Sequence, residues 1–202
     1  MVEKRTKYDA LLRMARKGPI RARDLDAERI PRVYLRRLAD RGDLVRTDRG
    51  IYRLAGAEAS EHASLADVAI RVPHATVCLY SALQFHGLTT QVSHAVWIMI
   101  DRTRRAPRIE NPPVEVVRAS GNARRHGIQV QRIDGVDVEI TTPAKTVADC
   151  FKYRNKIGLD VAIEALREGW RAKSFTMDEL WNSAKVCRVR SVIQPYMEMV
   201  AE

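Results

Sequence analysis

Arginine side chains recur at short intervals between residues 21 and 49, and their chemistry suits an anionic partner. The guanidinium group is planar and always charged. It donates paired hydrogen bonds to phosphate oxygens or to the O6 and N7 atoms of guanine. The sequence therefore predicts a DNA interface in this segment. The predicted contact residues are Arg21, Arg23, Arg32, Val33, Arg36, Arg37, Arg46 and Arg49.

The positive charge of the chain is concentrated in the same N-terminal part. The 202 residues include 35 Lys+Arg and 25 Asp+Glu, which gives a formal net charge of +10. Residues 1–55 contain 16 basic and 8 acidic side chains, so about a quarter of the chain carries a charge of +8. This asymmetry predicts double-stranded DNA as a partner. A basic surface that is only solvated, or that contacts another protein, is the alternative explanation.

Carboxylates on predicted strands are the main candidates for catalysis. A nuclease-type effector would use Asp101, Glu115, Asp137 and Glu139 to hold a metal ion. Asp137 and Glu139 alternate along one strand and share a face, yet no Glu-x-Lys motif follows them, so we expect them to face solvent. The sequence also lacks a Walker loop and a glycine-rich dinucleotide turn. We therefore predict no enzymatic activity, no cofactor and no metal.

The overall composition is that of a globular protein. Apolar residues make up 46% and charged residues 30% of the chain, which excludes a wholly disordered or collagen-like polymer. No apolar run approaches the roughly 18 residues needed to span a bilayer. The charged N-terminus lacks the apolar stretch of a signal peptide. We expect a cytoplasmic protein with no membrane partner, and three distant cysteines imply no disulfide framework.

The elements that must position the arginines form a compact series. Apolar spacing predicts a first helix over residues 4–17 and a short second helix over Arg21–Asp26. A turn at Ala27–Ile30 precedes a third helix that starts with Pro31 at its first position and ends at Arg41. Two strands around Gly50 then form a hairpin between residues 44 and 54. Three helices followed by a hairpin predict a winged helix-turn-helix domain over residues 1–55.

The third helix has a core side and a basic side. On a wheel of 100° per residue, the apolar residues fall opposite the basic ones. Arg32 and Arg36 are expected to contact base edges in the major groove. Arg46 and Arg49 at the wing tip, together with Arg21 and Arg23, are expected to contact the phosphate backbone. The side predicted to be buried contains Tyr34, Leu35 and Leu38.

A second domain is expected over residues 60–202, after a short polar linker at 55–61. Two helices come first, then four strands, then helices to the end, and this order predicts an α+β domain. Asp134-Gly135 predicts a hairpin turn, and Thr176–Glu179 predicts a capping box. The predicted elements are helices at 63–72 and 79–86, strands at 95–101, 114–118, 128–133 and 136–141, and helices from 142, 159, 176 and 188.

Four local expectations concern individual residues of this domain. Lys145 and Asp149 are an i, i+4 pair expected on an exposed helix face, where such pairs contribute only tenths of a kcal/mol. His86, before a glycine, is expected to donate to carbonyls of the last helical turn. Gly158 is expected to close the helix that starts at Thr142, and Pro195 to interrupt the last helix.

The chain as a whole resembles the AbiEi-type antitoxins of type IV toxin–antitoxin systems. Their winged helix is similar to the stretches Ile30–Leu38 and Gly50–Leu54. Their companion region is similar to the stretches Cys78–Leu88, Thr142–Phe151 and Tyr153–Asp160.

The resemblance implies a two-part protein without enzymatic activity. The N-terminal domain would bind operator DNA and repress its own operon, and the antitoxin-type α/β domain would counter a cognate toxin resembling a nucleotidyltransferase. The toxin-facing surface stays unassigned. Two alternatives remain open at this point, namely the winged-helix-targeted nuclease-type effector and a plain transcriptional regulator that senses a small molecule.

Overall fold

The computed structural model describes residues 2–58 and 60–201 and is a mixed α+β protein. Two compact units make up the chain. The first contains Met1–Ala63 and Arg132–Val136, and the second contains Ser64–Gln131 and Asp137–Glu202. The predicted α+β class is confirmed, with a winged-helix pattern at the N-terminus and helices at the C-terminus. The predicted domain boundaries stay a prediction.

The first unit contains three helical segments and a small antiparallel sheet. Strand β3 lies in the centre of this sheet, with β1 and β2 on either side. Its elements are α1 (Val2–Lys17), β1 (Ile20–Arg21), a 3₁₀ helix (Ala22–Asp26), α2 (Val33–Asp40), β2 (Leu44–Asp48) and β3 (Ile51–Leu54).

One apolar core holds these elements together. The helical periodicity of α1 buries Leu11 and Ala15, and that of α2 buries Leu35 and Leu38. Removing such side chains from water supplies about 25 cal/mol for each Å² of apolar surface buried. The buried residues of this core are Leu11, Ala15, Ile20, Leu25, Ile30, Tyr34, Leu35, Leu38 and Leu44.

Three local features of the first unit differ from the expectation. Ile20–Arg21 forms a strand that pairs with β3, so Arg21 does not start a helix. The segment that follows is a 3₁₀ helix over Ala22–Asp26. The recognition-type helix α2 begins at Val33, and Pro31 lies before it, where its carbonyl accepts from Tyr34 N at 3.1 Å. Proline supports this entry turn without entering the helix proper.

The second unit combines a five-stranded sheet with eight helices among its described residues. Its helices are α3 (Ala63–Arg71), α4 (Leu79–Phe85), α5 (Asn122–Arg125), α6 (Pro143–Lys152), α7 (Arg154–Ile157), α8 (Leu159–Arg171), α9 (Met177–Cys187) and α10 (Arg190–Ala201). Its strands are β4 (Thr76–Val77), β5 (Val96–Asp101), β6 (Val114–Ala119), β7 (Ile128–Ile133) and β8 (Val136–Thr141).

Three boundaries between the units fall inside elements, namely in α3, β7 and β8. Helix α3 begins at Ala63, the last residue of the first unit, so the seven helices from α4 to α10 are those that lie wholly within the second. Strands β7 and β8 meet in a hairpin whose tip, Arg132–Val136, belongs to the first unit. Asp134 and Gly135 both have positive φ at this tip, as the predicted two-residue turn requires.

The sheet has the strand order β6-β5-β4-β8-β7. Strand β4 pairs antiparallel with β5 and parallel with β8, and β5 pairs parallel with β6. The two residues of β4 were not expected as a strand, because two residues are too few for an alternating pattern to be recognised. Their pairing nevertheless links β5 to β8 in one sheet.

Helix α6 lies in the middle of the helical layer and is the most buried helix of the second unit among the described residues. It contacts α4, α8, α9 and α10. Every residue from Ala144 to Phe151 is buried, including charged ones. Its start is fixed as expected, because the Thr142 side chain accepts from Lys145 N and Pro143 occupies the first turn.

The Lys145–Asp149 pair is therefore not on an exposed face, and that prediction was wrong. The exposed fractions of the two side chains are 0% and 1%, and Lys145 Nζ donates to Asp149 Oδ2. The second carboxylate oxygen, Asp149 Oδ1, accepts from Cys187 Sγ at 3.3 Å. Burial raises the pKa of the Cys187 thiol to about 12, and the nearby carboxylate adds to that shift, so the thiol keeps the proton it donates.

Three further local predictions were also wrong. Helix α6 ends at Lys152, and Gly158 instead separates α7 from α8. Helix α10 runs through Pro195 without a break. The His86 ring does not donate to its own helix end. Its Nε2 lies 2.7 Å from Thr141 O, at the end of β8.

Candidate nucleic-acid interface

The exposed face of α2 is the centre of the candidate interface. Tyr34, Leu35 and Leu38 pack into the core, which turns the remaining positions of the helix outward. Val33 is 47% exposed, and the Arg36 side chain is 84% exposed. The division of this helix into a buried side and a basic side is the one that the wheel predicted, because a helix fixes both sides through its period.

Two aromatic rings hold basic side chains near this face. The rings of Tyr8 and Tyr34 meet edge to face, with centroids 5.1 Å apart. The guanidinium carbon of Arg37 lies 5.6 Å from the Tyr34 ring centroid, and that of Arg41 lies 5.4 Å from the Tyr8 centroid. Such cation–π contacts reduce the freedom of the two arginines and leave their donors available.

Two arginines of the face are engaged in exposed ion pairs. Arg32 Nη2 lies 2.6 Å from Asp26 Oδ2, with about 60% of both side chains exposed. Arg36 Nε lies 4.0 Å from Asp40 Oδ2. Pairs in solvent contribute at most about 1 kcal/mol, so a phosphate or a guanine can displace the carboxylate at little cost.

The wing between β2 and β3 presents two more arginines. Arg46 Nε donates to Asp48 O at 3.2 Å, and the Arg49 backbone N donates to Asp48 Oδ1 at 2.6 Å. Both arginine side chains are exposed. The strand register shifts between Arg46 and Asp48, which is a bulge of the kind that re-aims side chains at the edge of a sheet.

Arg21 and Arg23 flank the backbone contact between the 3₁₀ helix and the wing. The amide of Ala22, which lies between them, donates to Gly50 O at 2.7 Å. Arg23 is exposed, whereas Arg21 is half-buried and its Nε lies 2.8 Å from Asp24 Oδ2. Arg21 is thus the least available of the predicted contact residues.

Sequence reasoning passed over two cations of this region. Arg29 is exposed in the turn before α2 and has a φ of 53°. Arg41 caps the end of α2, where its positive charge complements the helix dipole. Both arginines lie beside the predicted recognition helix in the sequence, and this position could have identified them. Both extend the basic surface.

The carboxylates of the nuclease alternative do not form a metal site. Asp101 and Glu139 line one recess of about 620 Å³, but Arg104, Arg124 and Arg125 line it too. Glu139 Oε2 accepts from Thr76 Oγ1 at 2.9 Å. Glu115 lies 3.7 Å from Lys156 Nζ instead. Across residues 2–58 and 60–201, no three His, Cys, Asp or Glu side chains are grouped so as to hold a metal ion.

A protein-family comparison bears on the same segment. Residues 9–55 match the family model described as "Transcriptional regulator, AbiEi antitoxin". The resemblance to AbiEi antitoxins is confirmed over this segment. The match covers the second half of the first helix, the exposed face of α2 and the wing, so the basic surface lies on the segment that matches this family.

Comparison with solved structures shows a shared fold over nearly the whole chain. The crystal structure of the RV2827C protein from Mycobacterium tuberculosis superposes with a TM-score of 0.52 and 16% sequence identity. The superposition covers 96% of this chain and 79% of that one. A comparison with curated proteins finds no match. Among the described residues, no helix combines the length and apolar character needed to cross a bilayer.

Proposed function

We propose that this chain is an antitoxin that binds operator DNA through its first unit and represses its own operon. The observation that carries the proposal is the basic face of α2 beside the wing, on the segment that matches AbiEi transcriptional regulators. In this assignment Arg32 and Arg36 contact base edges, with Val33 and Arg37 beside them. Arg21, Arg23, Arg46 and Arg49 contact phosphates. The protein then works in the cytoplasm.

The ion pairs on the exposed face of α2 support a binding mode in which DNA replaces the carboxylates that contact the arginines. Asp26 and Asp40 neutralise Arg32 and Arg36 in the free protein, and both pairs are exposed. Binding replaces each carboxylate with a nucleic-acid acceptor and releases condensed counterions from the DNA. The ion pairs keep Arg32 and Arg36 ordered in the free protein, and breaking these exposed pairs on binding costs little free energy.

The second part of the proposal is that the chain counters a cognate toxin resembling a nucleotidyltransferase. The support is the resemblance of the stretches Cys78–Leu88 and Thr142–Asp160 to the antitoxin region of the same family. In the structure these stretches supply α4, α6 and α7, which belong to the helical layer of the second unit. Most residues of these stretches are buried in the core, so they do not identify the surface that contacts the toxin.

A titration of the labelled upstream region tests DNA binding. Arg36→Ala should weaken specific binding by roughly 1–3 kcal/mol and reduce the preference over random DNA. Arg49→Ala should weaken both to a similar degree and lower the salt slope by about one unit. Asp26→Asn, which frees Arg32, should strengthen binding severalfold. Arg171→Ala, an exposed arginine of the second unit, is the charge-matched control.

Two outcomes would contradict the DNA assignment. One is binding that does not depend on salt. The other is an equal loss of specific and random binding in Arg36→Ala, which would show that α2 does not contact bases. The toxin part is tested by co-expressing this chain with a nucleotidyltransferase-like gene found next to its own, which should restore growth, and a failure to rescue would remove the second part only.

A further inference from the structure

A large cleft of the second unit is strongly basic and is not used by the proposed DNA interface. Its volume is about 1320 Å³. The ends of β6, α6 and α9 and the start of α10 form its walls. Six of its lining residues are cations and none is acidic. The cations are Arg102, Arg118, Lys152, Arg154, Lys185 and Arg188.

The cations of this cleft are not neutralised by the protein. Within the part of the chain that the structure describes, none of the six forms an ion pair with a carboxylate, whereas Arg21, Arg32 and Arg36 of the candidate DNA interface do. Their known contacts are with neutral groups. Arg154 Nη1 donates to Phe151 O at 2.9 Å, and Lys152 Nζ lies 5.7 Å from the Tyr153 ring centroid. Unneutralised charge of one sign in a concave site attracts an anion.

The backbone adds to the positive potential. Val189 and Val192 line the cleft at the start of α10, a helix of 12 residues whose N-terminus carries partial positive charge. The wall on the other side is held in place, because the Tyr153 hydroxyl donates to Arg118 O at 2.9 Å. The cleft is therefore built by several elements and is not a property of one helix end.

The lining indicates which anion fits. Arginine and lysine at six positions match a series of phosphates better than a single one, and a nucleotide of roughly 300 Å³ would occupy only part of the volume. Among the described residues, His126 is the one aromatic ring in the lining, with no Phe, Tyr or Trp, so bases would gain little stacking there. Asn122 and Asn182 supply uncharged donors and acceptors. These features favour recognition of a sugar–phosphate backbone.

We infer that this cleft binds a short single strand of nucleic acid through its phosphates, independently of base sequence. A strand of several nucleotides fits a concave, cation-lined site. The inference goes beyond the proposed operator binding and does not depend on it. An acidic segment of a partner protein is the competing ligand, because arginine also pairs with carboxylates, and displacement by oligo-Glu is the outcome that would reveal it.

The experiment uses the full chain with the α2 face silenced by Arg32→Ala, Arg36→Ala and Arg37→Ala. Labelled oligo-U and oligo-dT of about eight nucleotides are titrated at low salt. Charge reversal in the cleft, Arg118→Glu with Lys185→Glu, should weaken binding at least about tenfold and reduce the salt slope. The control, Arg167→Glu with Lys173→Glu, changes the same charge at exposed positions outside the cleft and should have less than about a threefold effect.

Each result decides the question. Equal binding of the two oligonucleotides supports phosphate recognition, and tighter binding of oligo-U supports it with additional contacts to the 2′-hydroxyl. The neutral pair Arg118→Gln with Lys185→Gln should give an intermediate loss and guards against a folding artefact of charge reversal. Binding that the cleft variant leaves unchanged overturns the inference. Displacement by oligo-Glu of the same length as effectively as by oligo-U overturns it as well. If the chain without the three α2 substitutions failed to bind operator DNA, the proposed function would be contradicted, but the conclusion about the cleft would not change.

Discussion

A buried ion pair is the most consequential single contact in the second unit. Burial lowers the pKa of Lys145, but the Asp149 carboxylate and the nearby Cys187 and Cys78 together outweigh this effect, so the net shift raises the pKa and the ammonium stays charged. Removing one partner of a buried ion pair leaves the other charge buried and unpaired, which strongly destabilises the folded state. The Cys187 thiol occupies the second oxygen of Asp149, so the carboxylate is hydrogen-bonded on both sides.

We expect asymmetric effects when the pair is changed. Asp149→Ala leaves the ammonium of Lys145 buried without a partner and should lower the free energy of unfolding by roughly 3–5 kcal/mol. The double variant Lys145→Met with Asp149→Leu removes both charges and should recover most of that loss. Urea unfolding of the three proteins measures the difference. A loss below about 1 kcal/mol in Asp149→Ala would mean that the pair is not stabilising the core.

His86 makes stability depend on pH. Burial lowers the pKa of this ring from its ordinary 6.5, although the Thr141 carbonyl, which accepts from the ring, opposes the shift. The folded chain therefore binds the proton less readily than the unfolded chain does. The free energy of unfolding should fall as the pH drops below about 6.5 and stop falling below the folded pKa.

Replacing the ring should remove this dependence. In His86→Gln no group titrates at this position, so the decline in stability between about pH 7 and pH 5 should become shallower. His94→Gln, at an exposed position, is the control and should keep the decline of the unmodified chain. Thermal melts across this range measure it, and the same slope in all three proteins would show that His86 contributes nothing.

At the scale of elements, one glycine allows α6 to pack closely. Gly127 has a φ of 62°, and a Cβ built there would lie 2.6 Å from Lys145 Cβ. Its carbonyl also accepts from Thr142 N at 2.8 Å, at the start of α6. Gly87 has nearly the same φ, 66°, but nothing lies within 4 Å of the position of its Cβ.

The two glycines separate backbone strain from steric overlap. Gly87→Ala should cost roughly 1–2 kcal/mol, the penalty of a left-handed conformation for a residue with a Cβ. Gly127→Ala carries the same penalty and adds a further 1–3 kcal/mol or so for overpacking against Lys145. Equal midpoints of chemical denaturation for the two variants would show that the packing between Gly127 and α6 relaxes freely.

Elements with strong local signals were predicted well. The capping box at Thr176 is present, since Thr176 Oγ1 accepts from Glu179 N and the Glu179 side chain accepts from Thr176 N. The turn at Asp134-Gly135 is also present. Strands β1 and β4 escaped prediction because two residues have no periodicity, and only their pairing with β3 and with β5 and β8 makes them strands.

At the scale of the whole molecule, the division of labour between the two parts is a prediction. Residues 60–202 should fold alone and retain toxin neutralisation, while residues 1–55 are required for repression. Growth rescue and operator binding by the fragment test this. The tip residue Asp134 lies 3.9 Å from Arg53 Nη1 within the first unit, so the fragment leaves the carboxylate without that partner. A folded fragment that fails to rescue would show that the first unit takes part in neutralisation.

The sequence by itself determined the basic face of α2, because the helical period sets which of its eight consecutive residues are buried and which are exposed. Composition and charge asymmetry likewise located the candidate DNA interface. The environment of Lys145, the partner of His86 and the cation-lined cleft were decided by the tertiary structure alone. Each of them depends on groups far apart in the chain, such as His86 and Thr141 or Arg118 and Lys185, and no local pattern records which distant element will cover a given helix face.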